Sequence, residues 1–137
     1  MSDTPKDIIH QTALNHIAIS VTNLAESEAF YRDVIGLKQI EEPFKEGRHA
    51  WFDLGAAMTQ LHVIKDADER KERNRSNHLC FSTDDLEAFI KTLDSQGIAY
   101  YDSDGNQGEI NIRPDGIKQI FFKDPDGYWL EVNDDHS

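Results

Sequence analysis

Four side chains suited to holding a divalent metal ion, His16, His62, His78 and Glu131, occupy two pairs of matching places in a chain that repeats itself. Asn15-His16-Ile17-Ala18-Ile19-Ser20-Val21-Thr22-Asn23-Leu24 lies over Asn77-His78-Leu79-Cys80-Phe81-Ser82-Thr83-Asp84-Asp85-Leu86 at an offset of 62 residues. Phe52 to Val63 lies over Phe121 to Val132 at an offset of 69, so an insertion of 7 falls within the second unit. His16 therefore pairs with His78, and His62 with Glu131. Glu131 alone leaves two readings open: its strand face is wet, or the carboxylate holds a cation, because an unpaired buried charge is costly. Four ligand-type residues in duplicated places favour the cation.

The elements that must position these residues follow from the same patterns. Leu14–Val21 alternates as a strand, with His16, Ala18 and Ser20 on one face. Asn23 and Glu26 form a capping signature for a helix to about Ile35, which Gly36 stops. Leu37–Phe44, His49–Leu54 and Met58–Ile64 read as three more strands, completing a β-α-β-β-β module. In the second unit Asn77–Thr83 is a strand, and Asp84 or Asp85 caps a helix whose Leu86, Phe89, Ile90 and Leu93 keep helical spacing up to Gly97. Ile98–Tyr101 begins a strand, and the glycine-rich stretch 102–116 reads as a lid, a binding loop or plain surface. Two strands around the turn Asp124-Pro125-Asp126-Gly127 close the second module. The expected division is a tail at 1–13 and one domain at 14–134. That domain comprises module one (14–64), a linker (65–76) and module two (77–134). The linker is charged along most of its length with no apolar stripe, which predicts a solvated connector.

Composition narrows the partners. With 137 residues the chain can bury a real core. A net charge of −12 disfavours nucleic acid and anionic membrane. No apolar run approaches a membrane span. The single cysteine excludes an internal disulfide framework and fits a reducing compartment, so the expected location is cytoplasmic.

Asn15-His16, Phe30-Tyr31-Arg32-Asp33-Val34-Ile35-Gly36-Leu37, Asn77-His78 and Phe122-Lys123-Asp124-Pro125-Asp126-Gly127-Tyr128-Trp129-Leu130-Glu131 together resemble the vicinal oxygen chelate superfamily. That group includes glyoxalase I, methylmalonyl-CoA epimerase, fosfomycin-resistance enzymes, extradiol dioxygenases and bleomycin-resistance proteins. The resemblance spans about Leu14–Asn133. It implies an α+β fold in which two tandem β-α-β-β-β modules form a curled mixed sheet around a metal-binding cup. It further implies a small-molecule substrate and a homodimer, whose modules pair either within a chain or across two chains.

Carried over residue by residue, the resemblance makes His16, His62, His78 and Glu131 the ligands of one divalent transition metal. Imidazole with carboxylate suits Zn²⁺, Ni²⁺, Fe²⁺, Co²⁺ or Mn²⁺ better than Mg²⁺ or Ca²⁺. Glu131 is also the implied catalytic base, while His62 stands where many isomerases carry glutamate or glutamine. Period-two geometry puts Gln60, Cys80 and Trp129 on the ligand faces as candidate substrate contacts, and Gln119 and Phe121 join them if the penultimate strand keeps the facing that the duplication suggests. His10, His49 and His136 have no symmetric partner of ligand type and are expected at the surface. The implied activity is that of a metal-dependent glyoxalase-like lyase or isomerase, acting on a substrate that chelates through neighbouring oxygens. The alternatives are an Fe²⁺ dioxygenase using His16, His78 and Glu131, and a non-catalytic binder of the bleomycin-resistance type. Thiol transfer to a phosphonate finds only one polar group among Ala18, Gln119 and Phe121.

Overall fold

The computed structural model describes residues 11–55 and 58–135; His10 and His136 lie outside them. Module one comprises β1 (His16–Val21), α1 (Leu24–Ala29), β2 (Lys38–Ile40), β3 (His49–Asp53) and β4 (Gln60–Lys65). Module two comprises β5 (His78–Ser82), α2 (Leu86–Ser95), β6 (Tyr100–Tyr101), β7 (Asn111–Ile112), β8 (Lys118–Lys123) and β9 (Trp129–Asn133). The first sheet runs β1-β4-β3-β2 and the second β5-β9-β8-β6, with β7 also on β8. The β1–β4 and β5–β9 pairs are parallel and the remaining ladders antiparallel, so both sheets are mixed.

The duplication survives as register. His16 faces Gln60 and Ala18 faces His62 across β1–β4. His78 faces Trp129 and Cys80 faces Glu131 across β5–β9. Each ligand-type pair is thus one diagonal step apart on its own sheet.

Local chemistry explains the helix starts. The Asn23 side chain accepts from Glu26 N at 3.0 Å, and the Asp85 side chain accepts from Ala88 N at 3.0 Å. α1 then widens into a π turn over Phe30–Val34. That turn directs the consecutive Phe30 and Tyr31 into the core, 6% and 0% exposed, which an ordinary α-helical step of about 100° would disfavour.

Several expected boundaries move. β2 ends at Ile40 rather than Phe44, because Pro43 has no N–H for a ladder and Glu42 instead caps Phe44 N and Lys45 N. The linker is not simply solvated. Arg70 reaches Glu26 at 3.0 Å, the Arg73 guanidinium lies 3.6 Å from the Tyr128 ring centroid, and Trp129 Nε1 donates to the Arg73 carbonyl at 3.1 Å. A charge run without an apolar stripe still docks when cationic side chains meet aromatic faces and buried carboxylates.

The helix-bearing faces of both sheets share one core. Ile19 and Val21 of β1, Leu61 and Val63 of β4, Ile120 and Phe122 of β8, and Leu130 and Val132 of β9 belong to a single cluster. Phe30 of the first module touches Phe122 of the second, with ring centroids 6.4 Å apart. The turn at 124–127 locks this arrangement. Tyr31 donates to Asp124 Oδ2 at 2.6 Å, Thr22 N donates to Asp126 Oδ1, and the Tyr128 hydroxyl bonds both Ser20 N and Ser20 O. Burial raises the Asp124 carboxyl above its ordinary range even against these hydrogen bonds. Burial and then the Asp124 charge raise Tyr31 well above the usual phenol value. Tyr31→Phe leaves Asp124 Oδ2 short of its donor in a buried place. It is expected to cost about 1–3 kcal/mol in a urea unfolding titration, and an unchanged midpoint would show the contact to be idle.

Candidate functional site

Because the shared core takes one face of each sheet, alternation puts the ligand-type residues on the opposite faces. His16 and Ala18 of β1 and His78, Cys80 and Ser82 of β5 are exposed, whereas Ile19 and Val21 are buried. β1 and β5 are also edge strands of their sheets. Among the described residues each module therefore presents an open face with an unpaired edge beside it.

On the first face the His16 and His62 rings stack, with centroids 4.1 Å apart and planes at 13°. His62 is sandwiched, since the Trp51 ring lies on it at 3.7 Å and 2°. Burial, followed by the neighbouring His16 and His49, holds His62 below its ordinary pKa, which favours the neutral, metal-binding ring. On the second face His78 Nε2 lies 3.0 Å from Glu131 Oε1. Glu131 Oε2 accepts from Gln119 Nε2 at 2.6 Å and Asn133 Nδ2 at 3.1 Å. Burial pushes the Glu131 carboxyl up, but the donors Asn133, Gln119 and Cys80 and the nearby His78 outweigh it, and the group sits below its usual value.

The hydrogen bonds at the rings fit a cation. His78 Nδ1 pairs with the Arg75 carbonyl at 2.8 Å, which fixes the proton on that nitrogen. A neutral His78 then turns the Nε2 lone pair toward a carboxylate oxygen, so two acceptors face each other until a proton or a metal ion joins them. His16 Nδ1 pairs with Asn15 Oδ1 at 2.7 Å, and His62 Nε2 with Gln60 Oε1 at 2.8 Å. Among the described residues His16 and His62 thus each have one nitrogen tied by an oxygen and the other unbonded, the arrangement that orients metal-ligating histidines, whereas both nitrogens of His78 face oxygens.

Among the described residues, however, no group of three or more His, Cys, Asp or Glu side chains within one chain is placed so that it could hold a metal ion. The structure unites His16 with His62 and His78 with Glu131, and keeps the two pairs on separate faces.

The neighbours chosen from alternation fall where the pattern puts them. Gln60 and Gln119 bond His62 and Glu131, Phe121 packs edge-on against His78 with centroids 5.5 Å apart, and Trp129 faces His78 in register. Cys80 faces Glu131 and lies 3.2 Å from Asn133 Nδ2. Burial of its thiol and then the Glu131 charge push it up to about 12, so it is no nucleophile at neutral pH. His49 departs from its expected surface position. Its side chain is only 13% exposed, and it shares the ligand face of β3 with Trp51, opposite Ile64 and His62. The burial pattern of β3 alternates as that of a strand lining a face, and His49-Ala50-Trp51-Phe52-Asp53 carries the same alternation in sequence. The surface assignment rested on a missing symmetric partner, and symmetry says nothing about burial.

The profile of the Glyoxalase/Bleomycin resistance protein/Dioxygenase superfamily matches residues 13–132. The chain belongs to this superfamily. The uncharacterized protein YaeR of Escherichia coli is 34% identical over 127 residues, covering 87% of this chain and 93% of its own. Metallothiol transferase FosB of Shouchella clausii is 31% identical, covering 88% and 78%. Glyoxylase I 4 of Arabidopsis thaliana is 28% identical, covering 96% and 76%. Among solved structures Oxidase ChaP-H2 superposes with a TM-score of 0.75 at 22% identity, covering 91% of this chain and 94% of its own, which is a likeness of fold. Among the described residues no helix is long and apolar enough to cross a membrane.

Proposed function

We propose that this protein is a divalent-metal-dependent lyase or isomerase of the glyoxalase type, working in the cytoplasm as a homodimer on a small substrate that chelates through neighbouring oxygens. One observation carries the reading: the two ligand-type pairs occupy the same register of duplicated sheets, on faces that the shared core leaves open. His16 and His62 of one chain would hold the ion together with His78 and Glu131 of a second copy. The open edges of β1 and β5 and the exposed faces beside them support that pairing, since an unpaired edge is a template for another strand. In an isologous dimer each contact occurs twice, so both sites would be completed together.

The bound ion would supply Lewis-acid polarisation of the substrate oxygens. The residues of the chain do the rest. Gln119 and Asn133 hold Glu131 ionised, which lets Oε1 take a proton from a carbon beside the chelating oxygens and return it to the adjacent one. Phe121, edge-on against His78, and Trp129, facing it in register, would contact the substrate beside Glu131.

The FosB relatives favour thiol transfer as a second reading. Against it, Gln119, the one polar side chain of the matching trio, is already bonded to Glu131, and Arg113 is engaged by Asp115. A panel of 2-oxoaldehyde–thiol adducts, 2-substituted acyl thioesters, catechols and fosfomycin with thiol separates the readings. Oxygen-independent turnover supported by Ni²⁺, Co²⁺ or Zn²⁺ is expected. Oxygen consumption that requires Fe²⁺ would replace the isomerase with a dioxygenase. Thiol-dependent loss of fosfomycin would make the protein a transferase, and binding with no turnover would make it a sequestering protein.

A further inference from the structure

On the face of the first sheet that carries His16 and His62, Trp51 Nε1 and His49 Nδ1 are buried without a hydrogen-bond partner among the described residues. They sit two residues apart on one face of β3, in the rows beside the His16–His62 pair. Phe44 lies over both, its ring 4.7 Å from that of His49 and 6.0 Å edge-on from that of Trp51, yet Phe44 is itself 55% exposed. It stands on the irregular β2–β3 connection, which turns through positive φ at Lys45 and Gly47. A large apolar side chain held half in solvent above two unpaired polar atoms is a lid rather than part of the core.

The chemistry of the pair selects its ligand. An indole nitrogen only donates. His49 Nε2 lies 3.6 Å from Glu46 Oε1, so Nδ1 is the ring nitrogen without a side-chain neighbour among the described residues. The edge-on Phe44 ring gives the indole no more than a weak π contact. Trp51, stacked on His62, places its donor directly beside the ligand pair. We propose that the Trp51 indole N–H, with His49 beside it, forms a subsite for an acceptor oxygen next to the metal ligands. It takes a carboxylate or carbonyl oxygen that a planar substrate carries away from its chelating end, and Phe44 closes over the planar part. This rests on the reading of His16 and His62 as metal ligands and extends it to the class of substrate. The substrate is a flat molecule with two neighbouring oxygens at one end and an anionic or carbonyl oxygen at the other.

Benzohydroxamate and 4-carboxybenzohydroxamate test this in the Co²⁺-loaded protein by titration calorimetry. Both offer the same chelating oxygens, and only the second carries the distal acceptor. The carboxylated probe is expected to bind about 10-fold tighter. Trp51→Phe should bring the ratio of the two affinities to about one, whatever it does to benzohydroxamate by itself. Equal affinities in the parent protein, or a preference that survives Trp51→Phe, would overturn the subsite. If neither probe binds, the chelate reading fails, and the subsite is judged in metal-free protein. There benzoate, which carries the acceptor oxygen without the chelating pair, should change the tryptophan fluorescence, and Trp51→Phe should abolish the change. No response to benzoate, a response that survives Trp51→Phe, or a Trp51→Phe protein that dissociates to monomers where the parent does not, would end the proposal.

Discussion

Glu131→Gln is expected to keep the fold and lose turnover by about 10²–10⁴-fold, the usual contribution of a positioned acid–base group. The local hydrogen bonds show why the shape survives. An amide oxygen can accept from Gln119 and Asn133 as Oε2 does now, and the amide nitrogen can donate to His78 Nε2, whose other nitrogen is tied to the Arg75 carbonyl. The substitution therefore satisfies the network while removing the lone pair that takes the proton. It also replaces an anionic ligand with a neutral one, so metal affinity should weaken without vanishing. Turnover measured with saturating Co²⁺ or Zn²⁺ separates the two effects. Activity within a few-fold of the parent at full metal occupancy would remove Glu131 from the proton transfer and leave it a ligand only.

The second large effect concerns where the site is built. A chain with His16→Ala and His62→Ala has lost one ligand face, and a chain with His78→Ala and Glu131→Ala has lost the other. Neither homodimer should bind metal. Co-purified through two different affinity tags, the mixed dimer should regain about one ion per dimer where the parent holds about two. The intact pair of one chain faces the intact pair of the other at one site, and both damaged pairs meet at the second. A site closed within a single chain would leave the mixed dimer as empty as either homodimer. Elemental analysis of the doubly tagged species decides between them. Light scattering of the parent must show a dimer for the experiment to stand.

Much of this site was legible in the sequence because its geometry is local. Strand alternation fixes which side chains share a face, and the two offsets place His16 over His78 and His62 over Glu131 before any fold is known. The register across β1–β4 and β5–β9 then follows from the duplication. The companion Gln60 needed only period two, and Gln119 and Phe121 needed in addition the facing that the duplication suggests for their strand. The helix caps were equally plain, since Asn23 and Asp85 act within three residues of themselves.

What lay beyond the sequence depends on contacts between residues far apart in the chain. Alternation states that His16 and Ile17 point opposite ways, but it does not state which face a neighbouring module will cover. That was decided by Phe30 against Phe122, Tyr31 against Asp124 and Ser20 against Tyr128, which join the helix-bearing faces of both sheets and turn the ligand faces outward. The docking of the charged linker has the same origin, for Arg73 finds the Tyr128 ring only once the turn at 124–127 is packed beside it. So does the burial of His49 and Trp51, which depends on Phe44 folding over from an irregular loop. Sequence alone determined the ligand types, their pairing and their faces. Only the tertiary structure decided that the His16–His62 pair and the His78–Glu131 pair stay apart among the described residues, because the apolar faces of both sheets are buried in a common core and the faces carrying the two pairs turn away from it.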